Sequence, residues 1–303
     1  YFGGRLLKAK RDVTFLVRPR RAAQLQATGL SIRSALGDVD LPAPPTVQAQ
    51  TLKQTFDLVL LSAKAYDLEN AIESFAPAVG PNTAILPLLN GMKHLEVLEA
   101  RFGGAAVLGG QCFISASLDA EGRVLHLNKN HSLSFGERGG APSGRANAIL
   151  AELANAGFEA TLSEAILQDM WDKWVFIATA AGMTCLMRAA IGDIVAADGP
   201  GLSVALLDEC AAIASSAGFP PRKAALERSR ADITAAGSLI TASMLRDIER
   251  GAQTEVEQIL GDLFRRQSAE ARARSLLHVA YAHVKAYEAR RTRELNNSHS
   301  APR

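Results

Sequence analysis

The sequence predicts an α/β first half followed by an all-helical second half, with the change near residue 160. Three observations predict this. Up to residue 160, apolar runs of strand length alternate with helical patterns. Two of those runs, FDLVLLSA and TAILPLL, do not alternate polar with apolar residues, which marks strands buried on both faces of a parallel sheet. Beyond residue 160, the long apolar patterns repeat at helical spacing.

Taken in order, FGGRLL opens as a helix and Asp12–Val17 (DVTFLV) follows as a strand. PRRAAQLQATG is a short helix with proline inside its start and glycine past its end. LSIRS and DVDLP are short strands, and Phe56–Ala63 is a buried one. DLENAIESFAPAVG is a helix with its stop signal, and TAILPLL is a buried strand closing at Asn90–Gly91. AVLGGQCFISASL, RVLHLN and SLSFGE read as three strands with turns between them. Thr161 and Glu164 have capping-box spacing ahead of a long helix over 164–187. GLSVALLDECAAIASSAG and SMLRDIERGAQTEVEQILGDLFRRQ read as helical throughout, and in SLLHVAYAHVKAYEARR the residues Leu277, Ala280, Val284 and Tyr287 recur at helical spacing. The polar tail RELNNSHSAPR is expected to be disordered.

At 303 residues, 48% hydrophobic and 21% charged, the chain is long and apolar enough for two domains with real cores. A formal net charge of +2 argues against nucleic acid or an anionic membrane as partner. Cys112, Cys185 and Cys210 lie far apart in apolar surroundings, with neither metal-ligand spacing nor an even count for disulfides, which fits a reducing, cytoplasmic setting. The six histidines form no metal-binding pattern, so no metal is expected. The longest apolar run, Trp174–Met187, is too short for a membrane span and reads as a buried helix.

The first functional signal is the cluster Arg18, Arg20 and Arg21 at the end of TFLV. In a dinucleotide-binding fold the end of the second strand lies beside the adenosine ribose, where an acid selects NAD and an arginine accommodates the 2′-phosphate of NADP. Arg18 ends the strand and no acid replaces it, so NADP is the expected cofactor; the competing reading is a solvated basic loop. The glycine fingerprint of such a fold is absent. Gly3 and Gly4 suit the helix that follows it, and the first strand and G-x-G-x-x-G loop are expected just upstream of Tyr1. A chain lacking them is expected to bind cofactor weakly or not at all.

The segments YFGGRL, VTFLVR, LLSAKAYD, LLNGM, WDKWVF, SMLRDIERGAQTEVE and AYAHVKAYEARR, in that order, resemble the ketopantoate reductase (2-dehydropantoate 2-reductase) family from residue 1 to about residue 291. The resemblance implies a Rossmann-type NADP-binding domain over 1–160, here without its first strand and glycine loop. It also implies an all-α substrate and dimerisation domain over 161–303, with a homodimer as the one assembly considered. The implied activity is NADPH-dependent reduction of a 2-oxo acid to a 2-hydroxy acid, ketopantoate to pantoate in the family's pathway to pantothenate.

Such a reduction needs a proton donor to the carbonyl oxygen and a partner for the substrate carboxylate. Lys173, between tryptophans on an otherwise apolar helix, suits a general acid of lowered pKa, and by resemblance it is the family's catalytic lysine; the competing reading is a surface lysine snorkelling over the rings. Lys64 follows a buried strand, at the carboxyl end where open sheets bind ligands, and is expected to meet the cofactor. Asn90 is a candidate for cofactor or substrate, and Gly91 allows the backbone to approach the cofactor; turn chemistry alone is the competing reading for both. By resemblance, Glu255 hydrogen-bonds substrate and Ser243 reaches its carboxylate, while Asp247 is a structural partner for Arg246 or Arg250. One departure stands out: the family's asparagines four and eight residues after the lysine are replaced by Ile177 and Ala181, with Thr184 and Arg188 farther along as candidates to compensate. This leaves two alternatives open: a paralogous NADP-dependent hydroxy-acid dehydrogenase with a less polar substrate, and a non-catalytic nucleotide-binding regulatory module.

Overall fold

The computed structural model describes residues 1–300. The chain divides into two compact units: Tyr1–Leu89 with His94–Leu167, and Asn90–Lys93 with the chain from Gln168 onward.

The first unit is α/β. Helix α1 (Phe2–Lys8) lies close on two strands: a side chain on Gly3 would stand 2.8 Å from the Phe15 ring, and one on Gly4 would stand 2.8 Å from Ile32 Cδ1. Strand β1 (Phe15–Leu16) precedes α2 (Pro19–Thr28), and β2 (Leu30–Arg33) pairs antiparallel with β3 (Val39–Leu41). β4 (Thr46–Val47) runs parallel to β1, with Phe15 opposite Thr46. β5 (Phe56–Leu61), α3 (Leu68–Phe75) and β6 (Val79–Pro87) form a parallel strand–helix–strand unit, the Rossmann-type crossover that the sequence predicts. β5 is less covered than its apolar run predicts, with only Leu61 buried. The last five residues of β6 are buried.

After α4 (Lys93–Phe102) come β7 (Gly109–Leu118) and β8 (Val124–Gly136), an antiparallel hairpin. The two strands predicted over RVLHLN and SLSFGE are one continuous strand. The Asn128 side chain accepts from the Ser115 N–H at 3.0 Å, bridging the register shift at Ile114/Ala116 where a turn was expected. Helix α5 (Gly144–Leu153) leads to β9 (Glu159–Leu162), parallel to β8. Thr161 therefore stands in a strand opposite Ser134 and caps no helix. The core of this unit gathers Phe2, Leu86, Leu108, Leu133, Phe135 and Leu153, each burial contributing about 1.5–3 kcal/mol.

The long helix α6 (Ile166–Met187) begins two residues later than predicted, after Ser163 Oγ has accepted from the Ala165 N–H. From Gln168 onward it belongs to the second unit, which is helical: α7 (Ile191–Ala196), α8 (Pro200–Ser216), α9 (Lys223–Ile233) and α10 (Ser243–Glu249), a π-helical turn over Glu257–Gly261, then α11 (Asp262–Arg265), α12 (Ala269–Arg272) and α13 (Leu276–Ser300).

Two expectations fail here. The helix from Ser243 does not run through to the glutamines beyond it. Gly251, at φ +66°, ends α10: its N–H bonds the Ile248 carbonyl at 3.0 Å and the Ala252 N–H bonds that of Asp247 at 2.8 Å, the paired closure of a Schellman motif. The part of the tail from Arg293 to Ser300 continues α13, where disorder is expected from its composition, and residues 301–303 lie outside the described part. Leu277, Ala280 and Val284 are fully buried along α13, with Tyr287 partly buried at the next position. Among the described residues, no helix is long and apolar enough to cross a membrane, no acid, histidine and cysteine cluster suits a metal ion, and no disulfide forms.

Candidate active site

In the first unit, Arg18 immediately precedes α2, with Pro19 as the first helical residue. Its guanidinium is exposed, 3.1 Å from Asp67 Oδ1 and 3.5 Å from Asn70 Oδ1. The other two arginines separate in role. Arg20 is exposed, whereas Arg21 is partly buried and donates to Gln24 at 2.7 Å and to the Gly122 carbonyl at 2.8 Å, tying α2 to the β7–β8 turn. Lys64 is half-buried just past the carboxyl end of β5; its carbonyl accepts from the Asp67 N–H at 2.9 Å, forming the single 3₁₀ turn Ala65–Asp67. One short turn thus carries both Lys64 and the carboxylate that holds Arg18.

This donor set fits a 2′-phosphorylated dinucleotide. An exposed guanidinium at a helix N-terminus, with no acid at the strand end, suits phosphate oxygens. The Arg18–Asp67 pair, exposed on both sides, contributes only about 0–1 kcal/mol, so the guanidinium can exchange partners at small cost.

In the second unit, Lys173 stands on α6 and is half-buried. Its neighbours Trp171 and Trp174 turn into the core at 2% and 0% exposure. Trp171 stacks on Phe219 at 5.5 Å, and the Arg266 guanidinium lies 5.5 Å and 5.6 Å over the two indoles. Asp172, buried beside Lys173, accepts from Gln168 Nε2 at 3.0 Å and from Arg222 Nε at 2.5 Å. The helix is thus fixed on both sides of the lysine.

Glu255 is buried at 7% exposure, in the irregular stretch between Gly251 and the π-helical turn rather than on a helix. The stretch is anchored one residue earlier, where the Thr254 N–H and hydroxyl both donate to Glu288 Oε1 at 2.6 Å. The Glu255 carbonyl accepts from the N–H groups of Gln258 at 3.1 Å and Ile259 at 2.9 Å, starting the turn. Single π-helical turns recur at functional sites.

Two hydrogen bonds tie the segments that carry Lys173 and Asn90 to this turn. The Trp174 indole N–H donates to the Ile259 carbonyl at 2.9 Å, which docks the helix of Lys173, and Gln258 Nε2 donates to the Asn90 carbonyl at 2.9 Å. Gly91 is buried at φ +78°, and a Cβ there would lie 2.7 Å from the Gln258 carbonyl oxygen. Asn90 itself is half-buried. Gly91 thus approaches this protein backbone closely, an approach that its sequence position assigned to the cofactor.

Ser243 is the exposed first residue of α10, and the preceding Ala242 N–H donates to Thr184 Oγ1 at 3.4 Å. The fully buried Thr184 also donates to the Ala180 carbonyl at 2.7 Å, so its hydroxyl is committed to the scaffold and does not replace a lost asparagine. Arg188 is exposed beyond the end of α6 at φ +56°. On the face of α6 that carries Lys173, Ile177 is half-buried and Ala181 is buried. Arg246 donates to the Thr241 carbonyl at 2.9 Å. Gln258 carries no signal in sequence, and the tie that Trp174 makes to the Ile259 carbonyl is not legible from its place beside Lys173.

The family model Ketopantoate reductase PanE/ApbA matches residues 1–140, and its C-terminal counterpart matches residues 165–288. An oxidoreductase of Bacillus subtilis (strain 168), YkpB, described as uncharacterized, is 37% identical over 290 residues, covering 95% of each chain. The crystal structure of 2-dehydropantoate 2-reductase from Methylococcus capsulatus superposes with a TM-score of 0.83 at 28% identity, over 96% of this chain and 93% of that one. The ternary structure of D-mandelate dehydrogenase with NADH and anilino(oxo)acetate shares the fold, with a TM-score of 0.84 at 20% identity over 96% and 95% of the two chains. With a Rossmann-type first unit, a helical second unit and both family models matched, the chain belongs to the ketopantoate reductase family of oxidoreductases.

Proposed function

We propose that this protein reduces a 2-oxo acid to the 2-hydroxy acid with NADPH, in the manner of 2-dehydropantoate 2-reductase. The observation that carries this reading is the shared frame in the helical unit: one π-helical turn holds the helix of Lys173 through Trp174, the Asn90 carbonyl through Gln258, and Glu255 at its start. Arg18 and Lys64, at the ends of β1 and β5, would hold the cofactor, Arg18 at the 2′-phosphate. Held by these residues, NADPH would supply the hydride chemistry of the reduction. Lys173 Nζ delivers the proton to the carbonyl oxygen, which completes the hydroxyl group. Ser243 donates to the substrate carboxylate, Glu255 accepts from a substrate hydroxyl, and Asn90 orients substrate or cofactor through its carboxamide. Replacing Lys173 with Ala in the full-length protein should lower kcat by about two orders of magnitude or more while NADPH still binds; an unchanged kcat rejects the role.

A second reading concerns the substrate. Ile177 and Ala181 give the lysine face of α6 an apolar character, which favours a 2-oxo acid with a less polar side chain than ketopantoate. Branched and aryl 2-oxo acids should then exceed ketopantoate in kcat/KM; the reverse ranking returns ketopantoate as substrate. NADPH binding with no turnover on any 2-oxo acid would mark a regulatory nucleotide-binding module instead.

A further inference from the structure

We propose that Gln258 is a positioning residue for the reduction: its carboxamide sets where Asn90 stands relative to the turn that begins at Glu255. The inference rests on the functional reading above. Gln258 is buried at 7% exposure, and its Nε2 donates to the Asn90 main-chain carbonyl at 2.9 Å across a separation of 168 residues. The Gln258 backbone takes part in the same junction. Its N–H donates to the Glu255 carbonyl at 3.1 Å, and its own carbonyl faces Gly91 so closely that a Cβ would stand 2.7 Å away. The next residue, Ile259, receives the Trp174 indole N–H at 2.9 Å. Glutamine is thus the junction between the Asn90–Gly91 turn and the segment that carries Glu255.

The chemistry demands a donor. The Asn90 carbonyl offers only acceptor lone pairs, so its partner must present a hydrogen, which the Gln258 amide does and an ionised carboxylate of nearly the same shape does not. The grip is on the Asn90 main chain, so the Asn90 carboxamide is not what holds the turn. Displacement of a reacting or orienting group by about 1 Å is enough to cost orders of magnitude in rate, so the effect of Gln258 should reach catalysis through Asn90 and not through overall stability.

The test uses the full-length protein with NADPH and its best 2-oxo acid. Gln258→Met keeps length and bulk without a donor, and Gln258→Glu reverses the polarity. Both should lower kcat by about tenfold or more while NADPH affinity stays within about twofold. A merely structural role would lower the unfolding midpoint and leave kcat per folded molecule intact, which overturns the proposal. In the Asn90→Ala background, Gln258→Met should change kcat by no more than about twofold, because the group it positions is gone; fully multiplicative losses overturn the proposal. Amide hydrogen exchange across residues 89–93 should be faster in Gln258→Met and unchanged across α8, and exchange equal to wild type overturns the clamp whatever the turnover. A wild-type protein that reduces no 2-oxo acid but shows this exchange difference overturns the functional reading and leaves the clamp standing, so the two failures are distinguishable.

Discussion

Trp174 donates its indole N–H to the carbonyl of Ile259 at 2.9 Å, with the ring fully buried. The acceptor lies inside a π-helical turn, and the donor is the chain neighbour of Lys173. Trp174→Phe keeps most of the ring and removes the N–H, leaving the Ile259 carbonyl buried without this donor. The expected loss is about 1–3 kcal/mol, read as a lower urea midpoint, and kcat should fall as the helix of Lys173 loses its tie to the turn. A phenylalanine variant with wild-type stability and wild-type kcat would show that the bond positions nothing.

Gly91 meets two demands that only glycine can satisfy together. Its φ of +78° lies in the left-handed region, and the Gln258 backbone leaves no room for a Cβ. Gly91→Ala is therefore expected to destabilise the helical unit by about 1–3 kcal/mol. Gly201, helical in α8 with nothing within 4 Å of its would-be Cβ, is the control. Gly201→Ala should be neutral or stabilising by about 0.5–1 kcal/mol. Thermal unfolding of the two variants side by side separates a local steric conflict from a general effect of added methyl groups.

Local patterns in the sequence find the elements that local physics decides. Pro19 and a closing glycine bound α2, the apolar runs give β5 and β6, and helical spacing places Leu277, Ala280 and Val284 in the core. They miss what depends on partners far along the chain. One local feature is also missed: Gly251, in a run that looks helical on both sides, ends α10 through short-range bonds to Ile248 and Asp247. The Asn128 side chain carries β8 past a polar stretch that imitates a turn. Thr161 has the spacing of a cap and is taken by a strand pairing with Ser134. The junction of Gln258 with Asn90 spans 168 residues and leaves no periodicity in either segment. Lys173 and Asn90 are legible as candidates from their surroundings and Glu255 from resemblance, but the bonds that tie the segments of Lys173 and Asn90 to the π-helical turn are visible only in three dimensions.

The two deepest thiols give a pH prediction. Burial pushes Cys185 and Cys210 from 9.0 up to about 12. Both folded values are raised, so the stability these thiols contribute is fully present below pH 9 and is lost as pH rises from 9 toward 12, where the unfolded chain ionises and the folded chain does not. The slope is about 1.4 kcal/mol per pH unit for each thiol. Urea midpoints at pH 8 and pH 10 should therefore fall more in the wild type than in a variant carrying Cys185→Ala and Cys210→Ala; equal falls would place the pH sensitivity elsewhere. At pH 8 in the native protein, both thiols should resist iodoacetamide that modifies them quickly after unfolding.

Arg18 separates cofactor selection from stability. Its ion pair with Asp67 is exposed on both sides, so Arg18→Ala should change the unfolding free energy by no more than about 1 kcal/mol. The same substitution removes the guanidinium expected at the 2′-phosphate, the one group by which NADPH differs from NADH at that ribose. NADPH affinity in the full-length protein should fall by about ten- to a hundredfold, with NADH affinity nearly unchanged. Arg20→Ala, at the neighbouring exposed arginine, should weaken NADPH less. Arg21→Ala should cost stability instead, because Arg21 is spent on Gln24 and the Gly122 carbonyl. Fluorescence titration of both nucleotides against the three variants reads the affinities, and urea unfolding of the same variants reads the stabilities. Equal losses for NADPH and NADH in Arg18→Ala would remove the 2′-phosphate from the argument and return the arginine cluster to the solvated basic loop that its composition alone allows.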